Sequence, residues 1–401
     1  MGRMLEQDGF QKVEFDGSAD VYVINTCSVT ENADKECRQL VRRIQRRAPQ
    51  AVVVISGCYA QLKPHEIAAI PGVDLVLGAA EKFNIAHHLK EISKGEPARI
   101  CSCDIEDVNS FIPSHSQGGR TRVFLKVQDG CDYNCSFCTI PLARGRSRSN
   151  SIDKVMEDLA ALESAGAKEI VLTGINLGDF GKGFSGGKKK EETFFELMEA
   201  IEERSGISRF RISSIEPNLL EDRMIELVAR STKFMPHFHI PLQSGSNPIL
   251  ASMRRRYKRE LYAEKIALIK NLMPHACIGA DVITGFPGET AEAFSETMEF
   301  LQQLDVSYLH VFTYSERDDT HAIGLVGKVD VSERNDRTRL LRTLSYRKSE
   351  EFARSHEGEK RMVLFEGKNK NGMMEGYSDN YIKVATPYRQ DWENNIVEWT
   401  L

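Results

Sequence analysis

The stretch VFLKVQDGCDYNCSFCTIPLARGRSRS (residues 123–149) joins an apolar strand pattern to a short loop that carries three cysteines. Cys131, Cys135 and Cys138 have the spacing CxxxCxxC and lie within eight residues. Three thiolates at this density can bind three irons of a four-iron cluster and leave the fourth iron without a protein ligand in this window. An open position lets a metal bind a substrate, as at catalytic zinc sites. The stretch therefore predicts a catalytic iron–sulfur cluster on a loop after a strand.

Three other interpretations of these cysteines stay open. A structural zinc knuckle would need four ligands at CxxC-type spacing. A cluster that only transfers electrons would not need the large domain that follows the loop. The cysteines could also be unrelated residues of a hydrophobic core.

The bulk composition restricts the class of protein. With 401 residues, 41% apolar and 28% charged, the chain is expected to be globular and to form two or three domains. A net charge of −5 argues against holding nucleic acid by bulk attraction, so any RNA contact must come from local basic patches. Nine cysteines are too few for a disulfide scaffold. Without a signal peptide or an apolar run of membrane-spanning length, we expect a cytoplasmic protein with no membrane contact.

Downstream of residue 121, strand patterns alternate with helical patterns. Residues 121–358 are predicted to form an open, partial TIM-like (β/α)6 barrel, with its site at the carboxyl ends of the strands. The predicted strands are residues 122–127, 169–174, 209–214, 237–241, 277–285 and 306–312.

Residues 1–100 have a second α/β pattern. The apolar runs VYVIN (21–25), AVVVIS (51–56) and VDLVLG (73–78) are typical of buried parallel strands, which predicts a doubly wound domain. The chain opens inside an amphipathic helix instead of a strand, so we expect that the first strand of this domain is missing and that the sequence starts late. Residues 101–120 are predicted to be a linker, and 359–401 a small β module.

Two further cysteines follow predicted strands of the first domain. Cys27 ends VYVINTC and Cys58 ends VVVISGC. Because parallel strands bring their carboxyl ends to one edge of a sheet, we expect the two thiols to be neighbours. Taken singly, each would more often be a buried core cysteine, but their shared position at two strand ends favours a common site.

Several blocks together resemble the radical S-adenosylmethionine methylthiotransferases over nearly the whole chain. These blocks are FCTIPLARGRSRS (137–149), LTGINLGDFG (172–181), HIPLQSGSNPILASMRRRY (239–257), DVITGFPGET (281–290) and HVFTYSERDDTHA (310–322). The resemblance implies that a 4Fe–4S cluster on the cysteine triplet binds S-adenosylmethionine. Reduction would then yield methionine and a 5′-deoxyadenosyl radical.

The resemblance also implies cofactor contacts and a second cluster. The residues that would contact S-adenosylmethionine are Arg144, Gly174, Asn176, Gln243, Ser244, Gly285, Gly288 and Glu289. The family holds an auxiliary 4Fe–4S cluster with three cysteines, of which Cys27 and Cys58 match two. The third belongs to a loop after the missing first strand and has no counterpart here, so the auxiliary cluster is expected to be labile.

The implied substrate is a modified adenosine of tRNA. The segments ADVYVINTCSVTENADKECRQLVRR (19–43) and RISSIEPNLL (211–220) look most like the branch that adds a methylthio group to C2 of N6-threonylcarbamoyladenosine at position 37. The branches for isopentenyladenosine and for a ribosomal-protein aspartate are the alternatives. The implied partners are tRNA, an external one-electron reductant and a sulfur donor. The terminal module resembles a truncated TRAM domain, which binds RNA.

A protein of another class remains possible on the sequence alone. The chain could be a non-catalytic iron–sulfur protein that binds RNA or carries electrons. The blocks GFPGET and GINLGDF argue against this class, because a carrier needs no nucleoside pocket. Two arginine-rich runs, at 38–47 and 254–259, are candidates for phosphate contact, although such runs are usually only solvated faces.

Overall fold

A computed structural model describes residues 1–27, 31–116, 121–183, 190–369 and 371–401. The chain forms two compact units. The first unit contains Met1–Asn109, Cys131–Arg146 and Ser315–Ile323, and the second contains Ser110–Gly130, Ser147–Tyr314 and Gly324–Leu401. The predicted domain boundaries stay a prediction. Part of the predicted linker, residues 117–120, lies outside the described residues.

The first unit is built on a parallel sheet with helices on both faces, as predicted for a doubly wound domain. The sheet has the order β1-β2-β3-β4, with strands Val21–Thr26, Val52–Gly57, Leu75–Leu77 and Arg99–Cys101. Val53 and Ile55 face one hydrophobic cluster, whereas Val54 faces another on the opposite side, which explains the unbroken apolar runs. The helices are α1 (Gly2–Gln7), α2 (Glu31–Arg47), α3 (Cys58–Leu62), α4 (Pro64–Ala68), α5 (Ile85–Leu89) and α6 (Ile140–Arg144).

The second unit contains the predicted six parallel barrel strands. After the short strand β5 (Ser114–His115), they are β6 (Arg122–Lys126), β9 (Glu169–Thr173), β10 (Arg209–Ile212), β11 (His237–His239), β12 (Cys277–Thr284) and β13 (Tyr308–Thr313). One arc has the order β10-β9-β6-β5 and the other β11-β12-β13. A parallel bridge between Ser214 and His239 connects the two arcs. The short strands β7 (Gln128–Asp129) and β8 (Arg148–Ser149) pair with each other.

Helices cover the outside of the barrel. They are α7 (Ile152–Ser164), α8 (Phe194–Arg204), α9 (Asp222–Arg230), α10 (Asn247–Ser252), α11 (Arg259–Leu272), α12 (Ala291–Gln303) and α13 (Val331–Ser355). Alternate strand residues such as Leu309 and Val311 pack in the large core under these helices. The residues between them, including Tyr308 and His310, therefore face the lumen of the barrel. No described helix is long and apolar enough to cross a membrane.

The terminal module is an antiparallel sheet with the order β16-β15-β14-β17. Its strands are β14 (Lys360–Lys368), β15 (Met373–Ser378), β16 (Lys383–Pro387) and β17 (Ile396–Thr400). We did not predict β15, because MMEGYS contains a glycine and only weak alternation. In the sheet, Gly376 packs so closely on β14 that a Cβ would lie 2.7 Å from the carbonyl oxygen of Leu364.

The module closes the amino-terminal end of the barrel lumen. Arg211 donates to the carbonyl oxygens of Ser378 (2.7 Å) and Asp379 (2.9 Å), and its Nε donates to Glu169 at 2.9 Å. Tyr381 stacks on His237, with 3.9 Å between the ring centroids. Glu169, Arg209 and His237 are the first residues of β9, β10 and β11, and Arg209 donates to the carbonyl oxygen of Tyr377 at 3.3 Å, so the module packs against that end of the barrel.

We predict that Arg211→Met lowers the free energy of unfolding by about 3–5 kcal/mol, because the buried Glu169 carboxylate loses its hydrogen-bonded partner and keeps only Arg209, at 3.8 Å. The side chains of Arg211 and Glu169 are 1% and 0% exposed. Urea denaturation followed by circular dichroism measures the change. The control is Arg223→Met, which removes a half-exposed ion pair with Glu221 and is expected to cost less than about 1 kcal/mol. Equal urea denaturation midpoints for Arg211→Met and Arg223→Met would contradict the structural role of the buried pair of Arg211 and Glu169.

Candidate functional site

The cysteine loop belongs to the first unit and is closed at its base by main-chain hydrogen bonds. The amide of Cys131 donates to the carbonyl oxygen of Gly145 at 3.0 Å, and the amide of Cys138 donates to that of Cys135 at 3.1 Å. Cys135 is buried, whereas Cys131 and Cys138 are half-buried. The loop thus holds all three thiols within one compact turn that leads into α6.

Main-chain amides are directed at two of the three sulfur atoms. The amide of Tyr133 donates to Cys131 Sγ, and that of Ile140 to Cys138 Sγ, both at 3.4 Å. Hydrogen bonds to sulfur favour the thiolate, which is the form that ligates metals. All three cysteines are free of disulfides. The donor set therefore fits an iron–sulfur cluster.

The described residues do not provide a comparable ligand set for a single metal ion. Within the described ranges, no three His, Cys, Asp or Glu side chains are placed to hold one metal ion. In a cubane each thiolate binds its own iron, so the sulfur atoms do not have to meet at one point.

Cys27 and Cys58 follow neighbouring strands, as expected. Thr26 pairs with Gly57 at the last register position of β1 and β2, so the next residues of both strands emerge side by side. Gly57 has φ of +103°, and a Cβ there would lie 2.2 Å from the carbonyl oxygen of Thr26. Only glycine permits the tight turn that leads into Cys58.

The structure places Arg144 beside Cys58. Arg144 Nε donates to Cys58 Sγ at 3.3 Å, and both residues belong to the first unit. Cys58 is buried and Cys27 is exposed. The assignment of Arg144 to the carboxylate of S-adenosylmethionine stays a prediction; the contact observed here is with a candidate cluster ligand.

Asn176 has the clearest signature of a ligand contact in the second unit. It is 2% exposed, yet neither its Oδ1 nor its Nδ2 has a hydrogen-bond partner among the described residues. Buried polar groups are nearly always satisfied, so an unpartnered amide in a loop after a barrel strand is suited to a bound polar group. Its neighbour Gly174 is needed for packing, because a Cβ there would lie 2.9 Å from Gln128 Oε1.

Gln128 organises this loop and was missed by the sequence analysis. Its Oε1 accepts hydrogen bonds from the amides of Ile175 (2.8 Å) and Asn176 (2.9 Å), and its Nε2 donates to the carbonyl oxygen of Gly130 at 2.8 Å. Gln128 is fully buried. The one available signal was its position three residues before Cys131, at the beginning of β7.

Gln243 and Ser244 follow β11 in a strained turn. Gln243 has φ of +69°, which is unusual for a residue with a side chain, and its amide donates to the carbonyl oxygen of Asp281 at 2.7 Å. The side-chain amide of Gln243 makes no hydrogen bond to the described residues and is partly exposed. Ser244 is buried, with its Oγ 3.2 Å from Thr297 Oγ1, so it supports the turn.

Gly285, Gly288 and Glu289 form the turn after β12. Glu289 Oε2 accepts from the amide of Gly285 at 2.6 Å and from Arg337 at 2.7 Å. Burial raises the pKa of Glu289, and Arg337 opposes this rise. Gly285 and Gly288 both have positive φ, +74° and +86°. Glu289 therefore has a structural role in the turn, while its Oε1 has no partner among the described residues.

The two arginine runs are partly neutralised. On α2, Arg43 and Arg47 both pair with Asp16, at 2.7 and 3.0 Å, and Arg38 pairs with Glu66. In the second run, Arg255 is bound by Glu216. The remaining exposed arginines of α2, Arg42 and Arg46, are available for phosphate contact.

Two family models match this chain. Residues 125–301 match the Radical SAM superfamily, and residues 1–78 match a family described as Uncharacterized protein family UPF0004. Among solved structures, the radical S-adenosylmethionine methyltransferase TsrM from Kitasatospora setae, with cobalamin and a 4Fe-4S cluster bound, is similar with a TM-score of 0.55. It has 16% sequence identity and covers 80% of this chain and 68% of that chain. This similarity supports the fold.

Relatives similar over nearly the full length are methylthiotransferases. The Threonylcarbamoyladenosine tRNA methylthiotransferase MtaB of Bacillus subtilis (strain 168) is 38% identical, covering 99% of this chain and 88% of the relative. The protein of the same name from Aquifex aeolicus (strain VF5) is 38% identical over 94% of this chain and 90% of the relative. A tRNA-2-methylthio-N(6)-dimethylallyladenosine synthase of Clostridium botulinum (strain Okra / Type B1) is 30% identical over 92% of this chain and 82% of the relative. The chain therefore belongs to the radical S-adenosylmethionine methylthiotransferase family.

Proposed function

We propose that this enzyme adds a methylthio group to C2 of N6-threonylcarbamoyladenosine at position 37 of tRNA. The observation that carries the proposal is the difference in identity between relatives. Four relatives named for threonylcarbamoyladenosine are 34–38% identical to this chain. Relatives named for dimethylallyladenosine are 30% identical. Because the substrate is tRNA, we also place the enzyme in the cytoplasm.

Cys131, Cys135 and Cys138 would hold the 4Fe–4S cluster of the radical S-adenosylmethionine site. The cluster with S-adenosylmethionine supplies a 5′-deoxyadenosyl radical when bound. The chain contributes binding and orientation: the amides of Asn176 and Gln243 are free to hydrogen-bond polar groups of the cofactor. The turns that contain Gly174, Ser244, Gly285, Gly288 and Glu289 would position the main chain around it.

A second cluster on Cys27 and Cys58 would receive the sulfur. Their neighbouring strand ends and the Arg144 hydrogen bond to Cys58 support this role. An external one-electron reductant and a sulfur donor complete the reaction.

The second candidate substrate is dimethylallyladenosine, named by the relatives at 30% identity. Mass spectrometry of tRNA nucleosides from cells that lack the gene separates the two candidates. We expect 2-methylthio-N6-threonylcarbamoyladenosine to disappear and its precursor without the methylthio group to accumulate. Loss of the dimethylallyl product instead would refute the proposed substrate.

We predict that alanine at Cys131, Cys135 or Cys138 reduces formation of 5′-deoxyadenosine to the background level, because the cluster loses one of its three protein ligands. Cys27→Ala and Cys58→Ala should retain this activity, because they belong to the other cysteine set. The assay is chromatography of the reduced, reconstituted enzyme with S-adenosylmethionine. Cys277→Ala, at a buried strand residue, is the control for the loss of a packed thiol. Activity in the Cys135 variant would contradict the assignment.

We predict that Gln128→Leu raises the KM for S-adenosylmethionine by about 10-fold, equivalent to about 1.4 kcal/mol, because the loop at Ile175 and Asn176 loses its anchor. The KM is measured from 5′-deoxyadenosine formation. Gln303→Leu, at an exposed position near the end of α12, is the matched control. An unchanged KM in a folded Gln128 variant would show that the loop does not bind the cofactor.

A further inference from the structure

Three polar side chains from adjacent strands meet in the barrel lumen and have no role in the reaction described above. They are His239 on β11, Asp281 on β12 and His310 on β13, and we call them the lumen cluster. His239 Nε2 lies 2.8 Å from Asp281 Oδ1, and the rings of His239 and His310 are 5.2 Å apart. Asp281 and His310 are register partners. The cluster thus forms one continuous polar wall across three strands.

The lumen cluster lies next to the end of the barrel that the module closes. We call this end the floor; it contains Glu169, Arg211, His237, Tyr308 and Tyr381. The Tyr308 hydroxyl lies at hydrogen-bond distance from His237 Nε2, 3.0 Å, and Tyr381 of the module stacks on the His237 ring. Tyr308 can lie across β12 because residue 279 is glycine: a Cβ there would be 2.3 Å from the Tyr308 ring. Burial lowers the pKa of His237 well below its ordinary value, so the floor is uncharged at this histidine.

The lumen cluster itself is accessible. The side chains of His239 and Asp281 are 17% and 23% exposed, and His310 is exposed. One step closer to the carboxyl ends of the strands, Phe312 is 42% exposed next to Ile283, its register partner. An exposed aromatic ring in a barrel lumen provides a stacking surface for a planar base. The lumen therefore combines an aromatic entrance with a polar interior.

The hydrogen-bonding capacity of the cluster indicates which group it would bind. His310 makes ring contacts but no hydrogen bond to the described residues. Partial desolvation in the lumen and the nearby His239 lower the pKa of His310, which favours the neutral ring with one donor and one acceptor. The Asp281 carboxylate accepts hydrogen bonds only. Together they match an uncharged group that has both N–H and C=O, such as a ureido group.

An alkyl substituent would fit this wall poorly. A dimethylallyl group has no donor or acceptor, so it would remove water from His310 and Asp281 without replacing the lost hydrogen bonds. Leaving polar groups unpaired in this way weakens binding. Sites built for hydrogen bonding reject apolar analogues for this reason.

We propose that the lumen cluster binds the ureido part of the N6-threonylcarbamoyl substituent and selects acylated over alkylated adenosines. This inference rests on the proposed function. It adds a substrate-recognition site on β11, β12 and β13, separate from the turns assigned to S-adenosylmethionine. His310 is its central specificity-determining residue, because its side chain makes no hydrogen bond to a described residue, whereas His239 and Asp281 are bound to each other.

Binding of anticodon stem-loop RNAs tests the proposal without turnover. The probes are two synthetic RNAs of one sequence, with N6-threonylcarbamoyladenosine or N6-dimethylallyladenosine at position 37, measured by fluorescence anisotropy with the reconstituted enzyme. We expect the wild-type Kd to be at least about 10-fold lower for the threonylcarbamoyl RNA, and His310→Leu to reduce this ratio to about 1–2. His310→Gln, which keeps a donor and an acceptor, should retain part of the preference.

The ratio of the two Kd values distinguishes recognition from damage to the fold. If His310→Leu only damaged the fold, it would weaken the binding of both RNAs equally and leave the ratio of the two Kd values unchanged. This result would overturn the proposal. Equal binding of both RNAs by the wild-type enzyme would also overturn it. His65→Leu, at an exposed histidine of α4, is the control and should not alter either Kd. The proposed function is judged separately, by the tRNA nucleosides of the cells that lack the gene.

Discussion

Parallel pairing of the barrel strands is the constraint on which the other features of the second unit depend. Because β6, β9, β10, β11, β12 and β13 run in one direction, every loop that follows a strand emerges at the same end. Asn176, Gln243 and Gly285 all lie in such loops. The opposite end receives the first residues of the strands, and there the β module packs. One geometric rule thus separates the candidate cofactor contacts from the floor.

The floor is made of charged and aromatic side chains instead of apolar ones. Arg211 is fully buried, but each of its donors has a partner: Glu169 and two module carbonyls. Burying such a charged pair costs desolvation energy, and the three hydrogen bonds of Arg211 offset part of this cost. The module must therefore dock in one orientation, in which Tyr381 reaches His237. The same orientation defines the lower limit of the lumen beneath His239 and His310.

The cysteine sets depend on backbone geometry as much as on the thiols. Amides of Tyr133 and Ile140 are directed at sulfur atoms of the triplet, and Arg144 at the end of α6 donates to Cys58. A few residues of one loop and helix thus influence both candidate cluster sites. Fixed donors near sulfur are one means by which a protein adjusts the electronic properties of a cluster.

The sequence by itself determined the features that arise from local patterns. The spacing of Cys131, Cys135 and Cys138 is contained in one loop, and each barrel strand shows either an apolar run or an alternation of polar and apolar residues, so both could be recognised without a fold. Strand β15 escaped prediction because the glycine that it needs for close packing also weakens its pattern. The short β4, Arg99–Cys101, escaped because it begins with an exposed arginine and does not form an apolar run like that of β3.

Only the tertiary structure decided which distant residues meet. Gln128 contacts Asn176 across 48 positions, and His239 contacts Asp281 across 42, through strand register that composition does not reveal. A single glutamine or histidine in a strand looks like any other polar residue until its neighbours are known. The contribution of a buried polar group to the free energy of folding depends on whether it has a hydrogen-bond partner. The packing of the folded chain determines that partner, and the order of residues in the sequence does not reveal it.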